Sequence, residues 1–159
     1  MTDKMGFNER RVTFDWHNQP VEAFGYRFKS KQEYKWAQYL EYLKMSDEVD
    51  TWQYEPHTFE MKERYRKRRI YTPDFKVYTV TRYAHIRYVQ HEWHEVKTTL
   101  RQKDVTRFRY FKADYPNERI VLVITSKPRT TKRIVLLEKA KKYVDDVIFA
   151  GPIFRKLGL

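Results

Sequence analysis

At 159 residues the chain has room for one compact domain with a genuine core and is too short for two. Thirty-three Lys and Arg against twenty-one Asp and Glu leave a formal charge of +12, which favours a polyanionic partner and makes nucleic acid the first expectation. Cysteine is absent, which excludes thiol catalysis, disulfides and cysteine-based zinc modules; the four glycines form no phosphate loop, and Ser30, Ser46 and Ser126 lie outside any serine-hydrolase context.

The longest purely apolar run, Ile120 to Ile124, is far below membrane-spanning length, and Met1 to Gly6 lack the apolar stretch of a secretory signal. A cytoplasmic protein with no membrane and no nucleotide cofactor is expected, in the host cytoplasm if a phage encodes it. Residues 1–28 show no clear period and read as an N-terminal arm, or as a short strand around Val21 to Phe28, attached to a single domain covering 1–159. Ser30-Lys31-Gln32-Glu33 has the form of a capping box, and Trp36, Ala37, Leu40 and Leu43 follow at helical spacing, so a helix is predicted from Lys31 to about Lys44. Trp52 to Met61 looks extended. Lys62 to Arg69 reads as a charged turn. Strands follow over Ile70 to Val80 and Ile86 to Thr98, joined by a connection over Thr81 to His85. Val105, Phe108, Phe111 and Tyr115 then mark a basic amphipathic helix, Arg119 to Thr125 a strand buried on both faces, Thr131 to Tyr143 a second basic helix, and Val147 to Phe149 a terminal strand.

Two fragments on this frame carry chemistry: Tyr71-Thr72-Pro73-Asp74-Phe75, and, about twenty residues on, Glu95-Val96-Lys97. Side chains alternate along a strand, so Glu95 and Lys97 project to one face and Val96 to the other. Each fragment alone has a plain explanation. Pro-Asp is a common turn former, and Glu-x-Lys is an ordinary same-face ion pair. Their conjunction, with a basic helix following and an inward glutamate, Glu33, preceding, is what points to a site.

The element order together with Asp74, Glu95 and Lys97 resembles the PD-(D/E)xK nuclease superfamily of restriction endonucleases and Holliday junction resolvases, over about Ser30 to Tyr143. Within it, the Phe28 to Glu33 helix start and the two motif strands look most like a small phage-encoded group. The resemblance implies an α/β fold of the restriction endonuclease-like kind, a mixed β-sheet flanked by helices with an αβββαβ core plus a C-terminal helix. It also implies a metal-dependent DNA endonuclease. Its cofactor would be Mg²⁺, with Mn²⁺ a substitute, held by Asp74, Glu95 and the Val96 carbonyl, and by Glu33 directly or through water. Mg²⁺ takes oxygen ligands and keeps several waters, so few protein ligands suffice. Lys97 would orient or help deprotonate the attacking water and offset charge on the phosphate. Glu33 has a competing role, closing the capping box with Ser30.

The surrounding residues were weighed against the same chemistry. Glu92 is three residues from Glu95, faces away from it, and reads as solvent-facing or structural. His91 and His94 fall on opposite strand faces and make a poor zinc pair, although His94 could approach a phosphate. Three basic groups, Lys62 to Arg69, Arg101 to Lys112 and Lys127 to Lys142, are candidates for phosphate contact; Arg66, Lys67, Arg69, Arg101, Lys103, Arg107 and Lys112 are the nucleic-acid-binding residues expected. The alternative is a non-catalytic nucleic-acid-binding protein on the same fold; a third is a structural protein of a phage or mobile element. Branched DNA or junctions are a possible substrate, and resolution of a junction would call for a homodimer with two sites on one face.

Overall fold

The computed structural model describes residues 19–62 and 70–159. Val21–Ala23 (β1) and Tyr26–Phe28 (β2) form a hairpin across Phe24-Gly25, both with positive φ (54° and 79°), the condition for a tight turn matched to strand twist. Val21 to Phe28, read as part of an arm or a short strand, is thus a small hairpin, and Phe28 is wholly buried beneath Tyr26, Tyr34 and Trp52. Phe7, Phe14 and Trp16 of the expected arm, and Arg66, Lys67 and Arg69 of the charged turn, lie outside the described residues.

Helix α1 (Lys31–Met45) starts as its sequence requires. Ser30 accepts the Glu33 N–H at 3.2 Å, and Glu33 Oε2 accepts the Ser30 N–H at 3.1 Å. Trp36, Ala37 and Leu40 form its buried stripe. Strand β3 (Val49–Tyr54) begins earlier than Trp52 because Val49 is already core, and it stops at Glu55, whose φ is +45°. The extended reading of Trp52 to Met61 is therefore split: Phe59–Glu60 (β4) pairs instead with Ile70–Tyr71 (β5) in a separate two-stranded sheet. The reading of Ile70 to Val80 divides likewise, since Pro73, with no N–H to give a ladder, separates β5 from β6 (Phe75–Tyr83).

The main sheet runs β3-β6-β7-β8-β9, where β7 is Ile86–Lys97, β8 Ile120–Ile124 and β9 Asp146–Phe149. The first three strands are antiparallel neighbours, and β7, β8 and β9 are parallel. Helix α2 (Gln102–Asp114) connects β7 to β8, and α3 (Thr131–Ala140) connects β8 to β9. One further helix, α4 (Ala150–Leu157), ends the chain. Its sequence opens Gly151-Pro152, which looks like a stop, yet a proline is tolerated in a first helical turn because its N–H would have no intrahelical partner.

Alternation along the strands divides the core in two. Phe75, Val77, Val96, Val121 and Val123 pack on α1 and α4, and Trp93, Ile120, Leu122 and Ile124 pack beneath α2 and α3. All five residues of β8 are buried, as expected for a strand covered on both faces. The architecture is a mixed α/β sheet flanked by helices, as the sequence led us to expect. The far end of the β6–β7 hairpin leaves this sandwich: β3 reaches only to Val49 opposite Thr79, and β8 begins opposite Trp93. Residues 80–90 therefore project as a two-stranded ribbon closed by a turn at Ala84 and His85, with Tyr83 76% and Ile86 53% exposed. Among the described residues no helix is long and apolar enough to cross a membrane.

Candidate active site

Strand β7 carries Glu95 and Lys97 to its C-terminal end on the α2 side, while β6 begins only at Phe75, opposite His94. Beyond that pair β7 has no antiparallel neighbour. The ladder's parity fixes what happens there. Trp93 N–H donates to the Arg119 carbonyl and the Lys97 carbonyl accepts from Thr125 N–H, so the odd residues bond towards β8, and Val96 turns its backbone groups towards the gap ahead of β6. Asp74 fills that gap: its Oδ2 accepts the Val96 N–H at 2.8 Å. The Val96 carbonyl is directed to the same gap.

Around Asp74 the charges converge. Glu95 Oε1 lies 3.0 Å from Lys97 Nζ, and its Oε2 accepts the Tyr71 hydroxyl at 2.8 Å. Tyr71 is buried under Arg107, whose guanidinium stands 5.4 Å from the ring centroid. Burial, then the Glu95 and Glu33 carboxylates, hold the Asp74 carboxyl well above the usual aspartate range, against the opposing Val96 N–H and Lys97. Lys97 is pushed the other way by burial, but Glu95 and Asp104 outweigh this and raise its pKa, so it is held as an ammonium. Burial likewise raises Glu33, partly offset by bonds from the Tyr54 hydroxyl and the Lys29 and Ser30 N–H groups.

All three bonds to Glu33 fall on Oε2: Lys29 N–H at 2.9 Å, Ser30 N–H at 3.1 Å and Tyr54 O–H at 2.9 Å. The capping role therefore operates. The side chain also lines an open cleft of about 720 Å³ whose opposite wall is Val96, Lys97, Thr98, Arg101 and Lys103, so both readings of Glu33 keep a structural basis. Arg101 and Lys103 stand where the basic helix enters this cleft, and Lys103 and Arg107 line an adjoining hollow. Lys112 is placed differently. It pairs with Asp145 at 2.8 Å, and Asp145 in turn accepts the Ile120 N–H, which makes Lys112 a clasp between α2 and the turn before β9.

The histidines separate as strand parity required. His91 pairs with Glu118 on the α2 side, whereas His94 lies under α1, accepting the Trp36 indole N–H on Nδ1 at 3.0 Å. With Nδ1 occupied as an acceptor, Nε2 carries the proton and donates to Glu92 at 2.8 Å. His94 is 4% exposed and packed against Trp36, so it does not approach the cleft. Glu92 bridges His94 and Arg119; of the two roles considered for it, the structural one is seen.

Asp104 was not singled out from the sequence. It is 3% exposed, accepts the Arg101 N–H at 2.8 Å and lies 3.7 Å from Lys97 Nζ, so it caps α2 and holds the lysine from the far side. The available signal was an acid at the third helical position of a helix following the motif lysine. Tyr71 was inside the quoted motif, but nothing in its spacing showed that its hydroxyl would reach Glu95.

The oxygen donors converging here, Asp74, Glu95 and the Val96 carbonyl, are of the kind a hard divalent cation takes. Among the described residues no group of three or more His, Asp or Glu stands close enough together to hold a metal ion. Two carboxylates and a carbonyl fit an ion that keeps most of its waters; a cage built of protein ligands alone does not.

A family model described as a protein of unknown function, DUF1064, matches residues 14–131, from before the β1–β2 hairpin to the start of α3. The chain belongs to the DUF1064 family. The region matched by DUF1064 holds Glu33, Asp74, Glu95, Lys97 and Asp104. Neither the curated proteins nor the solved structures contain a match. The mixed α/β fold and DUF1064 membership are consistent with a nuclease-like fold in general.

Proposed function

We propose that the protein is a Mg²⁺-dependent endodeoxyribonuclease hydrolysing phosphodiester bonds in the cleft between α1 and the start of α2. One observation carries the reading: just ahead of the start of β6, a buried carboxylate, Asp74, is clamped to the Val96 N–H next to a second carboxylate, Glu95. Two like charges brought together in a buried place call for a cation. Asp74, Glu95 and the Val96 carbonyl would hold it, with Glu33 reached through water. Bound there, a divalent ion supplies Lewis acidity towards a phosphate oxygen.

The chain's own groups do the rest. Lys97, kept protonated by Glu95 and Asp104, donates to the attacking water and sets it in line, and it offsets negative charge on the phosphate as that charge develops. An ammonium so held acts as donor and not as general base; the attacking water would give its proton to solvent water in the open cleft, and the leaving oxygen would take one from it. Tyr71, with Arg107 over its ring, holds the Glu95 carboxylate through its hydroxyl. Arg101 and Lys103 draw the backbone phosphates to the cleft mouth.

Incubating the protein with branched, duplex and single-stranded DNA, with Mg²⁺ or with EDTA, tests this. Metal-dependent cleavage is expected, lost in Asp74→Ala and reduced at least a hundredfold in Lys97→Ala, with DNA affinity for the lysine variant changed less than threefold. Tight binding without cleavage on every substrate would sink the catalytic reading. It would favour the second one, a nucleic-acid-binding protein without catalysis, for which the lack of a preassembled three-ligand cluster among the described residues speaks.

A further inference from the structure

The C-terminal ends of β8 and β9 border a second cavity, of about 480 Å³, walled by Thr125, Ser126, Phe149 and the first turn of α4. Three cations line it: Lys127, Arg129 and Arg155. None of the three forms an ion pair with a described residue, although Lys29, Lys97, Lys112, Arg82, Arg87 and Arg119 all do. Arg155 lies four residues after Gly151 in α4, on the same helix face, and helical side chains lean towards the N-terminus. Its guanidinium therefore reaches the N-terminal turn, where Nη1 lies 3.6 Å from the point a Cβ on Gly151 would occupy.

That end of α4 is the positive one, and it is capped by Phe149, which offers no side-chain acceptor to the free N–H groups. Three cations and uncapped amide donors thus face one cavity, with no carboxylate among its described lining residues. Repulsion of this kind is relieved by an anion.

The second cavity also borders the first. Thr98, which lines the cleft, and Thr125, which lines the cavity, join hydroxyls at 2.9 Å, and the Thr125 N–H donates to the Lys97 carbonyl at 3.0 Å. The ends of β7, β8 and β9 are one and two strand spacings apart, about 5 and 10 Å. A nucleic-acid strand covers that distance in two or three nucleotides at a rise of about 3.4 Å.

We propose that this cavity is a phosphate subsite, in which Lys127, Arg129 and Arg155 hold a backbone phosphate of a nucleic-acid strand a few nucleotides from the one in the cleft. The proposal rests on the nuclease reading for the position of the cleft phosphate, and on the cavity alone for its own ligand. It sets the path of the strand, across the ends of the parallel strands from β7 to β9.

Fluorescence anisotropy of labelled duplex and single-stranded DNA, in EDTA and over a range of salt, reads this without requiring hydrolysis. Relative to wild type, Arg129→Ala/Arg155→Ala is expected to bind at least tenfold more weakly at low salt. Its slope of log affinity against log salt should be shallower by about 0.9 on duplex, from the loss of one neutralised phosphate. Arg155→Lys should keep the slope, and thermal melting checks that each variant is folded. Unchanged affinity and slope in the folded double variant would overturn the proposal, whether or not the protein cleaves DNA. So would inorganic phosphate shifting the Gly151 amide resonance while strand binding stays insensitive to both arginines, since that marks a site for small phosphates. Weakened binding in a protein that cleaves nothing would sustain the subsite and remove the nuclease reading.

Discussion

Asp74 carries a cost that the folded chain bears when no cation is bound. Its carboxyl has a raised pKa, so between the ordinary aspartate range and that raised value the folded protein holds a proton that the unfolded chain has already released. Stability then falls as pH rises through this window, and above it the penalty is fully present. Glu33, also raised, adds in the same direction. Asp74→Asn removes the charge yet keeps an oxygen for the Val96 N–H. In metal-free buffer at neutral pH the variant is expected to melt higher than wild type, by about 2–4 °C for each kcal/mol gained. Its melting temperature should also change less between pH 5 and pH 8. A lower melting temperature at both pH values would show that Asp74 is not under electrostatic pressure. The gain would come with loss of cleavage, the usual relation between a stabilised site and its activity. At this scale the sequence was most legible where strand parity applies: Glu95 with Lys97, and His91 apart from His94. It was least legible for Asp104, because the partner of a motif lysine depends on how α2 is seated over the strand end.

The elements differ in how much the core supports them. Among the described residues the ribbon beyond Val80 has no sheet neighbour on either edge, and its anchors are Arg82 and Arg87 paired with Asp47 and Asp50 at the surface. Exposed ion pairs are screened by water and salt and hold a segment only weakly. Replacing residues 82–87 by Asn-Gly keeps the strand parity and the Thr81 to Tyr88 pairing, and it should shift the melting temperature by less than about 4 °C. A fall of 10 °C or more would mean that the ribbon is part of the cooperative core. The sequence places this hairpin but makes its connection five residues long, whereas Thr81, Arg82 and Tyr83 pair where a loop is expected. It lost α4 for a similar reason. Gly151-Pro152 resembles a chain break in one dimension, and only the packing of Ala150 and Phe154 against the α1 side of the sheet makes a helix there. The α1 capping box and the uniformly buried β8 were readable, because each is a local pattern whose meaning does not depend on distant neighbours.

Across the whole molecule the two core layers are joined at the site. Glu33 approaches from α1, while Glu95 and Lys97 lie on the side of α2. A cation drawn to Asp74 and Glu95 should therefore stabilise the fold as a unit and not a single loop. By mass action an ion at a hundredfold excess over its Kd adds about 2.7 kcal/mol, or about 5–10 °C at 2–4 °C per kcal/mol. Titrating Mg²⁺ or Mn²⁺ in a thermal melt should show this rise in wild type and abolish it in Asp74→Asn; equal shifts in both would place the ion elsewhere. The net charge of +12 was the most accessible fact in the sequence, yet its distribution was not. Lys112, promising on position, is spent on Asp145, whereas Arg155 was not considered until the fold brought it to the ends of β8 and β9.

At Val96 a carboxylate stands where a neighbouring strand would have presented a carbonyl. An amide proton bonded to a titrating, ligand-binding oxygen changes its resonance frequency when that oxygen gains a proton or is drawn towards an ion. The backbone signal of this one valine, in a protein labelled with nitrogen-15, is thus a built-in indicator of site occupancy, readable with no substrate present and before any bond is broken.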